Sequence, residues 1–132
     1  MFNGVHHINF LVRDLMVAVE RYRTVLGIDS FQYGELDGRG VRTARFRVGH
    51  TWLVLVQPTD PDSVPGRHLA EHGEGIFLLS LGVDSLETAV RDIKSQGGKF
   101  VSESPRKGLE NWQLIDLDSA QFFDVQIQLC EE

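Results

Sequence analysis

Two stretches of the chain follow one pattern: His6–Asp29 reads HHINFLVRDLMVAVERYRTVLGID and Phe77–Phe100 reads FLLSLGVDSLETAVRDIKSQGGKF. The residues that recur at a constant offset of 71 are Val12 with Val83, Leu15 with Leu86, Ala18 with Ala89, Val19 with Val90, and Gly27 with Gly98. In both stretches an extended segment with side chains on alternate faces runs into apolar residues at helical spacing. The sequence therefore predicts one strand-helix module that is used twice.

Each module is predicted to continue into three more strands. The first has a helix from Leu15 that Gly27 ends, and extended segments near 5–12, 31–33, 41–48 and 52–57. The second has a helix from Leu86, with Asp84 and Glu87 at capping-box spacing, and strands near 76–83, 100–102, 112–117 and 122–129. The predicted class is α+β, with two tandem βαβββ modules in an open, curved mixed sheet around a cavity.

The domain organisation is predicted from length and from proline and glycine content. The 132 residues suit one domain. Residues 58–75 hold three of the four prolines and three glycines, which favours a linker with a short helix at most. We expect a single domain over 1–132, with module one at 1–57, the linker at 58–75 and module two at 76–132.

Composition narrows the function classes. A net charge of −6 without a basic run argues against nucleic acid or an anionic membrane as the partner. One cysteine cannot form an intramolecular disulfide, and no stretch approaches the roughly 20 apolar residues of a membrane span. The expectation is a cytoplasmic protein that acts on a small molecule and pairs as a homodimer.

Strand alternation predicts which side chains line the cavity. His7 lies on the face opposite Ile8 and Phe10, and His6 is expected to point away from the cavity. The residues assigned to the cavity face as ligand contacts are Asn9, Arg45, Arg47, Trp52, Ser80, Asp116, Asp124, Gln126 and Gln128. Arg45 and Arg47 suit a carboxylate or phosphate, while the alternative is an exposed sheet rim on which they pair with Asp116 or water.

The opening stretch, the linker PTDPDSVPGRHLAEHGEGI and the later ESPRKG resemble the glyoxalase, bleomycin-resistance and extradiol-dioxygenase superfamily (vicinal oxygen chelate, VOC). Within it, the linker and ESPRKG are most similar to methylmalonyl-CoA epimerase. The resemblance implies paired βαβββ modules, a divalent metal in the cavity and proton transfer next to a thioester.

The metal ligands that the resemblance implies fall on four positions of this chain. The first-strand histidine falls on His7, and the other three ligands fall on Val54, Leu78 and Gln128. Val and Leu have no lone pair, and a neutral amide is a poor substitute for a carboxylate on a hard or borderline cation. His7 and Gln128 are thus the remaining candidate metal ligands and the candidate catalytic residues, in an incomplete set.

Three hypotheses follow. The first, which suits the incomplete ligand set, is a VOC protein with a degenerate metal site that binds a small organic ligand without metal or other cofactor, as the bleomycin-resistance branch implies. The alternative is a methylmalonyl-CoA epimerase-like isomerase or lyase that uses His7 with a divalent metal and takes an acyl thioester. The third is a protein whose cavity is closed by Val54, Leu78 and Trp52 and which acts through surface contacts as a homodimer subunit.

Overall fold

The computed structural model describes residues 1–132, except for the side chain of Asp37. Its strands are β1 (Phe2–Leu11), β2 (Gln32–Leu36), β3 (Val41–Val48), β4 (Thr51–Pro58), β5 (Gly75–Val83), β6 (Arg106–Lys107), β7 (Gln113–Asp116) and β8 (Ile127–Glu131). Its α-helices are α1 (Leu15–Leu26), α2 (Val64–His72) and α3 (Leu86–Ser95). The predicted α+β class and the repeated βαβββ order are confirmed. Among the described helices, none is long and apolar enough to cross a membrane.

The strands belong to one mixed eight-stranded sheet, and the chain divides into two compact units. In the unit of residues 8–77 the strand order is β2-β3-β4-β1, with β3 antiparallel to both β2 and β4. In the unit of residues 1–7 and 78–132 the order is β1-β5-β8-β7-β6, with β5 and β8 parallel. The predicted boundaries between module one, linker and module two stay a prediction.

Each unit has its own apolar core under its own helix. In the unit of residues 8–77, Leu15 and Val19 of α1 pack against Ala44 and Leu55. In the other unit, the core residues of α3 and the strands beneath it are Val83, Leu86, Ala89, Ile115, Leu117 and Leu129. Burial of each large aliphatic side chain contributes about 1.5–3 kcal/mol. The helix-spaced apolar residues of the repeat are therefore the residues that hold each helix on its sheet.

The helix ends follow local capping chemistry, with one difference from the prediction. Gly27 ends α1 in the left-handed conformation, at φ 72°, which a glycine adopts without steric cost. Ser85, and not Asp84, is the N-cap of α3, because its Oγ accepts from the backbone N–H of Thr88. Asp84 instead accepts a hydrogen bond from the side chain of Asn3 at 2.8 Å.

Two predicted strands of the second module are wrong in their bounds. The second strand of this module is β6 (Arg106–Lys107) and not the predicted segment 100–102. Within that segment Phe100 makes only an isolated bridge to Leu117. The last strand begins at Ile127, because residues 119–122 form a 3-10 turn and Phe123 and Asp124 have positive φ. Asp124 is exposed and Gln126 half-buried, both outside β8, so the alternation argument that placed them beside Gln128 does not apply to them.

Candidate functional site

His7 lies in the interior of the unit formed by residues 1–7 and 78–132. It is 2% exposed, and its ring stacks on the Trp112 indole at 4.8 Å with 21° between the planes. Burial lowers the pKa of His7 to about 3, the neighbouring His6 adds to the lowering, and contact with the Gln128 side chain opposes it. His7 is therefore a neutral imidazole near pH 7.

His6 lies in the same cluster, although alternation predicts that it points away. Its Nδ1 is 2.8 Å from Nδ1 of His7, and its ring meets the edge of Trp112 at 4.6 Å. Its Nε2 is 3.2 Å from Oε1 of Glu132. Alternation fixes the direction of Cβ, whereas rotation about the side-chain torsions brings an imidazole ring back towards its neighbour.

A charged chain of contacts leads away from the histidines along β8, β7 and β6. Gln128 Nε2 donates to Asp116 Oδ1 at 3.0 Å, and Arg106 pairs with Asp116 Oδ2 at 2.9 Å. Gln128 and Asp116 are register partners on antiparallel strands, which places their side chains on one face. Arg106, from the ESPRKG turn, is thus the described ion-pair partner of Asp116. The alternative in the sequence analysis paired Asp116 with Arg45 or Arg47, and Arg106 was given no role there.

In the unit of residues 1–7 and 78–132, two buried polar atoms have no hydrogen-bond partner among the described residues: Ser80 Oγ and Gln128 Oε1. Ser80 is 0% exposed and Gln128 is 1% exposed, and they are register partners on the parallel strands β5 and β8. A buried polar group without a partner costs about 1–3 kcal/mol. The Ser80 hydroxyl can donate a hydrogen bond, and the Gln128 amide oxygen can only accept one.

The other predicted contact residues lie in the unit of residues 8–77. Asn9 is half-buried there, and its Oδ1 has no hydrogen-bond partner among the described residues. The guanidinium groups of Arg45 and Arg47 lie 4.9 and 4.6 Å from the Trp52 ring. Arg45 is buried and also donates to the side chain of Gln32 at 3.0 Å, whereas Arg47 is exposed.

These arginines and Trp52 line a groove of about 520 Å³ that also includes the end of α1 and the segment before β2. The exposed Arg47 can stack on the aromatic face and also donate N–H groups to an anion. The groove therefore provides positive charge for a carboxylate or phosphate.

The four-ligand set that the VOC resemblance implies does not fit this chain. Val54 and Leu78 are buried apolar side chains at two of the ligand positions, and Gln128 is engaged with Asp116. These four positions therefore do not provide a complete metal shell.

A different group of potential ligands is present in the described residues. His6, His7 and Cys130 each offer one ligand atom, and these atoms lie within 4.8 Å of one another. Cys130 is buried, and burial together with Glu132 and Glu131 raises the pKa of its thiol to about 12. The sequence analysis assigned no role to His6 or Cys130.

Known proteins resemble the chain over nearly its whole length. A methylmalonyl-CoA epimerase variant of Streptomyces coelicolor, solved with 2-nitronate-propionyl-CoA, has a TM-score of 0.94 at 27% identity and covers 100% of this chain and 99% of its own. The Mycobacterium tuberculosis methylmalonyl-CoA epimerase structure has a TM-score of 0.93 at 31% identity and covers 98% and 88%. The mitochondrial methylmalonyl-CoA epimerase of Bos taurus is 26% identical over 126 residues, 95% of this chain and 72% of that protein.

The family assignment rests on the sequence match and agrees with the fold. Residues 6–115 match the glyoxalase/bleomycin resistance protein/dioxygenase superfamily. The full-length structural matches have the same α+β fold, so the predicted glyoxalase-like class is confirmed. The chain belongs to the glyoxalase/bleomycin resistance protein/dioxygenase superfamily.

Proposed function

We propose that this protein is an isomerase of the methylmalonyl-CoA epimerase type, which moves a proton at the carbon next to the carbonyl of an acyl-CoA thioester. The similarity to epimerases along the whole chain supports the reaction class. The ligands named in solved relatives, methylmalonyl-CoA and a nitronate-propionyl-CoA, support the substrate class. The observation that carries the proposal is the buried Ser80 hydroxyl, which has no partner among the described residues. It lies beside Gln128, which contacts the neutral His7.

The chemistry requires a negative charge to form on the thioester oxygen. Removal of the α-proton leaves its electron pair in a new carbon-carbon double bond, and the carbonyl becomes an enolate. A proton from water then adds to the other face as the carbonyl re-forms, and the base returns its proton to water. Ser80 Oγ is a buried hydroxyl whose hydrogen has no acceptor among the described residues, so it can donate to that oxygen. His7, a neutral imidazole with its pKa of about 3, contacts the side chain of Gln128, the register partner of Ser80, and so positions this part of the site.

Asp116 is the proposed proton acceptor. Its carboxylate belongs to the same unit, is 28% exposed and is positioned by Gln128 and Arg106. His7 is a weak candidate for that step, because it is 2% exposed and its ring faces the side chains of His6 and Gln128. The proposed catalytic residues are therefore Ser80 and Asp116, and His7 and Gln128 are positioning residues.

Solvent deuterium uptake tests the proposal. Protein at high concentration is incubated with methylmalonyl-CoA in D₂O, and deuterium at the α-carbon is measured by mass spectrometry. Ser80→Ala is expected to lower the exchange rate by about 10²-fold or more, the usual effect of losing one oxyanion donor. It should not lower stability, because it removes a polar group that has no partner. Ser95→Ala, at the exposed last position of α3, is the matched control.

A second candidate function is ligand binding without catalysis, and the buried Val54 and Leu78 favour it. A binding protein is stabilised by methylmalonyl-CoA, by about 2.7 kcal/mol at a hundredfold excess over Kd, but exchanges no deuterium.

We further propose that Arg45 and Arg47 hold an anionic group of the ligand. Arg47→Gln should weaken ligand binding, and the difference in affinity between the variant and the wild type should become smaller at high salt.

The homodimer stays a prediction, and light scattering tests it.

A further inference from the structure

His6, His7 and Cys130 bring two imidazoles and a thiol to one place in the unit of residues 1–7 and 78–132. Their ligand atoms lie within 4.8 Å of one another, and the two Nδ1 atoms are 2.8 Å apart. A tetrahedral zinc shell, with bonds of about 2.0–2.1 Å to nitrogen and 2.3 Å to sulfur, places its ligand atoms about 3.3–3.8 Å apart. The cluster reaches that geometry by side-chain movements of about an ångström.

The ring orientation of His6 is set by an acceptor on its far side. Glu132 Oε1 accepts from His6 Nε2 at 3.2 Å and from Trp112 Nε1 at 2.9 Å. An ionised carboxylate only accepts, so Nε2 carries the proton of a neutral His6 and its Nδ1 is left with a lone pair. That lone pair is directed at His7. A carboxylate behind a histidine is the arrangement that orients many zinc-binding histidines.

His7 has a matching acceptor behind it. Its Nδ1 faces His6, which leaves Nε2 to meet the Gln128 amide in contact with the ring. The Gln128 amide is fixed by its bond to Asp116, so its oxygen, buried and without a partner among the described residues, is the atom left for His7. With a proton on Nε2, the Nδ1 lone pair of His7 converges with that of His6. One position then suits a cation.

We propose that His6 Nδ1, His7 Nδ1 and Cys130 Sγ bind one Zn²⁺, with a fourth position beside His6, whose side chain is 12% exposed while those of His7 and Cys130 are buried. Two imidazoles and a thiolate are a ligand set that zinc favours, and three protein ligands leave one position for water or substrate. The site shares only His7 with the four positions that the superfamily resemblance implies. On binding, the thiol proton of Cys130 is released and the proton between the two Nδ1 atoms moves to His7 Nε2, so each Zn²⁺ releases one proton.

Metal titration of the intact, tag-free protein tests the site. The protein is treated with chelator and dialysed, and Zn²⁺ or Co²⁺ alone is then added. One equivalent of Co²⁺ should give thiolate-to-cobalt charge-transfer absorption, which Zn²⁺ displaces. X-ray absorption of the Zn²⁺ form should resolve one sulfur near 2.3 Å with nitrogen near 2.0–2.1 Å. Cys130 is the chain's only thiol, so a thiolate signal has one source.

Three variants separate this site from surface binding. Cys130→Ser should abolish the charge-transfer absorption, and Glu132→Gln should weaken Zn²⁺ binding 10–100-fold, as loss of a carboxylate behind a ligand does. His72→Gln is the matched control, because His68 and His72 lie one turn apart on the partly exposed helix α2, with ring centres 4.3 Å apart, and form the obvious surface site. It should leave the absorption unchanged.

A wild-type Zn²⁺ spectrum without a sulfur ligand overturns the proposal, and so does Zn²⁺ binding that only His72→Gln reduces. The wild-type spectrum decides the matter even if Cys130→Ser fails to fold. Isomerase activity is measured separately, as deuterium exchange with chelated and Zn²⁺-loaded protein. Zinc binding without exchange would overturn the proposed function and leave the zinc site standing, and exchange without zinc binding would do the reverse.

Discussion

Replacing Gln128 with glutamate tests how tightly the contact between its amide and Asp116 is buried. The Gln128 side chain is 1% exposed, and its Nε2 donates to Asp116 Oδ1 at 3.0 Å. Gln128→Glu keeps the length and shape of the side chain. It removes the donor and sets two carboxylate oxygens at hydrogen-bond distance in a site that solvent hardly reaches. We expect the variant to be less stable than the wild type, by an amount that depends on pH.

The magnitude follows from the cost of removing one charge. The protein avoids two like charges by protonating the introduced carboxyl group, which then donates its O–H to Asp116 in place of the amide. Protonating a glutamate of ordinary pKa about 4.3 costs about 1.36 kcal/mol for each pH unit above that value. The destabilisation therefore has a ceiling of about 5 kcal/mol at pH 8 and about 1 kcal/mol at pH 5. Because Arg106 offsets part of the repulsion, we expect about 3 kcal/mol or more at pH 8.

The sign of the pH dependence is fixed by proton binding. A carboxyl group whose pKa is raised in the folded state binds more protons there than in the unfolded chain, so the variant loses stability relative to the wild type as pH rises. Urea denaturation of both proteins at pH 5 and pH 8 measures the difference. Gln96→Glu, at the exposed end of α3, is the control and should change stability by less than about 0.5 kcal/mol. An equal deficit at both pH values, or one below about 1 kcal/mol at pH 8, would refute the reasoning.

Three further predictions concern Trp112, His7 and Gly27. Trp112→Ala should lower the free energy of unfolding by about 3–5 kcal/mol, because it removes the ring that stacks on His7. Trp112→Phe keeps a stacked ring and should cost only about 1 kcal/mol, for the lost N–H bond to Glu132. Urea denaturation measures both, and equal losses would contradict the stacking. The folded-state pKa of His7, about 3, lies below its unfolded value of about 6.5, so the protein loses up to about 5 kcal/mol of stability as pH falls between these values. His7→Gln should flatten this fall. If the variant has the same pH profile of unfolding as the wild type, burial of a neutral His7 is not its cause. Gly27→Ala puts a Cβ on a residue in the left-handed conformation and should lower the stability by about 1 kcal/mol. Gly38→Ala is the control and should cost less, because φ there is not positive and no atom lies within 4 Å of the added Cβ. Thermal unfolding measures both, and the reverse order would show that φ is not the cause.

Much of the fold could be predicted because periodicity and capping are local properties. The bounds of α1 and the stop at Gly27 follow from apolar spacing and one glycine. The last strand was misjudged because Phe122 and Phe123 look like strand residues. A turn capped by Asp118 and closed by two left-handed residues takes up that segment instead.

The candidate site was predicted only in part. His7, Asp116 and Gln128 were assigned to one cavity by alternation, and the structure places them in one connected cluster. His6 and Cys130 were missed, since strand alternation gives the direction of Cβ but not the reach of a ring. Their roles as catalytic or ligand-binding residues stay proposals with the tests given above.

The sequence by itself determined the duplicated βαβββ fold, because periodicity and capping are properties of residue type and spacing. Its resemblance to the superfamily implied that Val54 and Leu78 stand at two of the metal-ligand positions. Only the tertiary structure decided that His6, His7 and Cys130 converge, and that Arg106 is a partner of Asp116. The physical reason is that strand pairing joins residues far apart in the chain, and side-chain torsions then set which atoms meet. Neither is encoded in a local pattern.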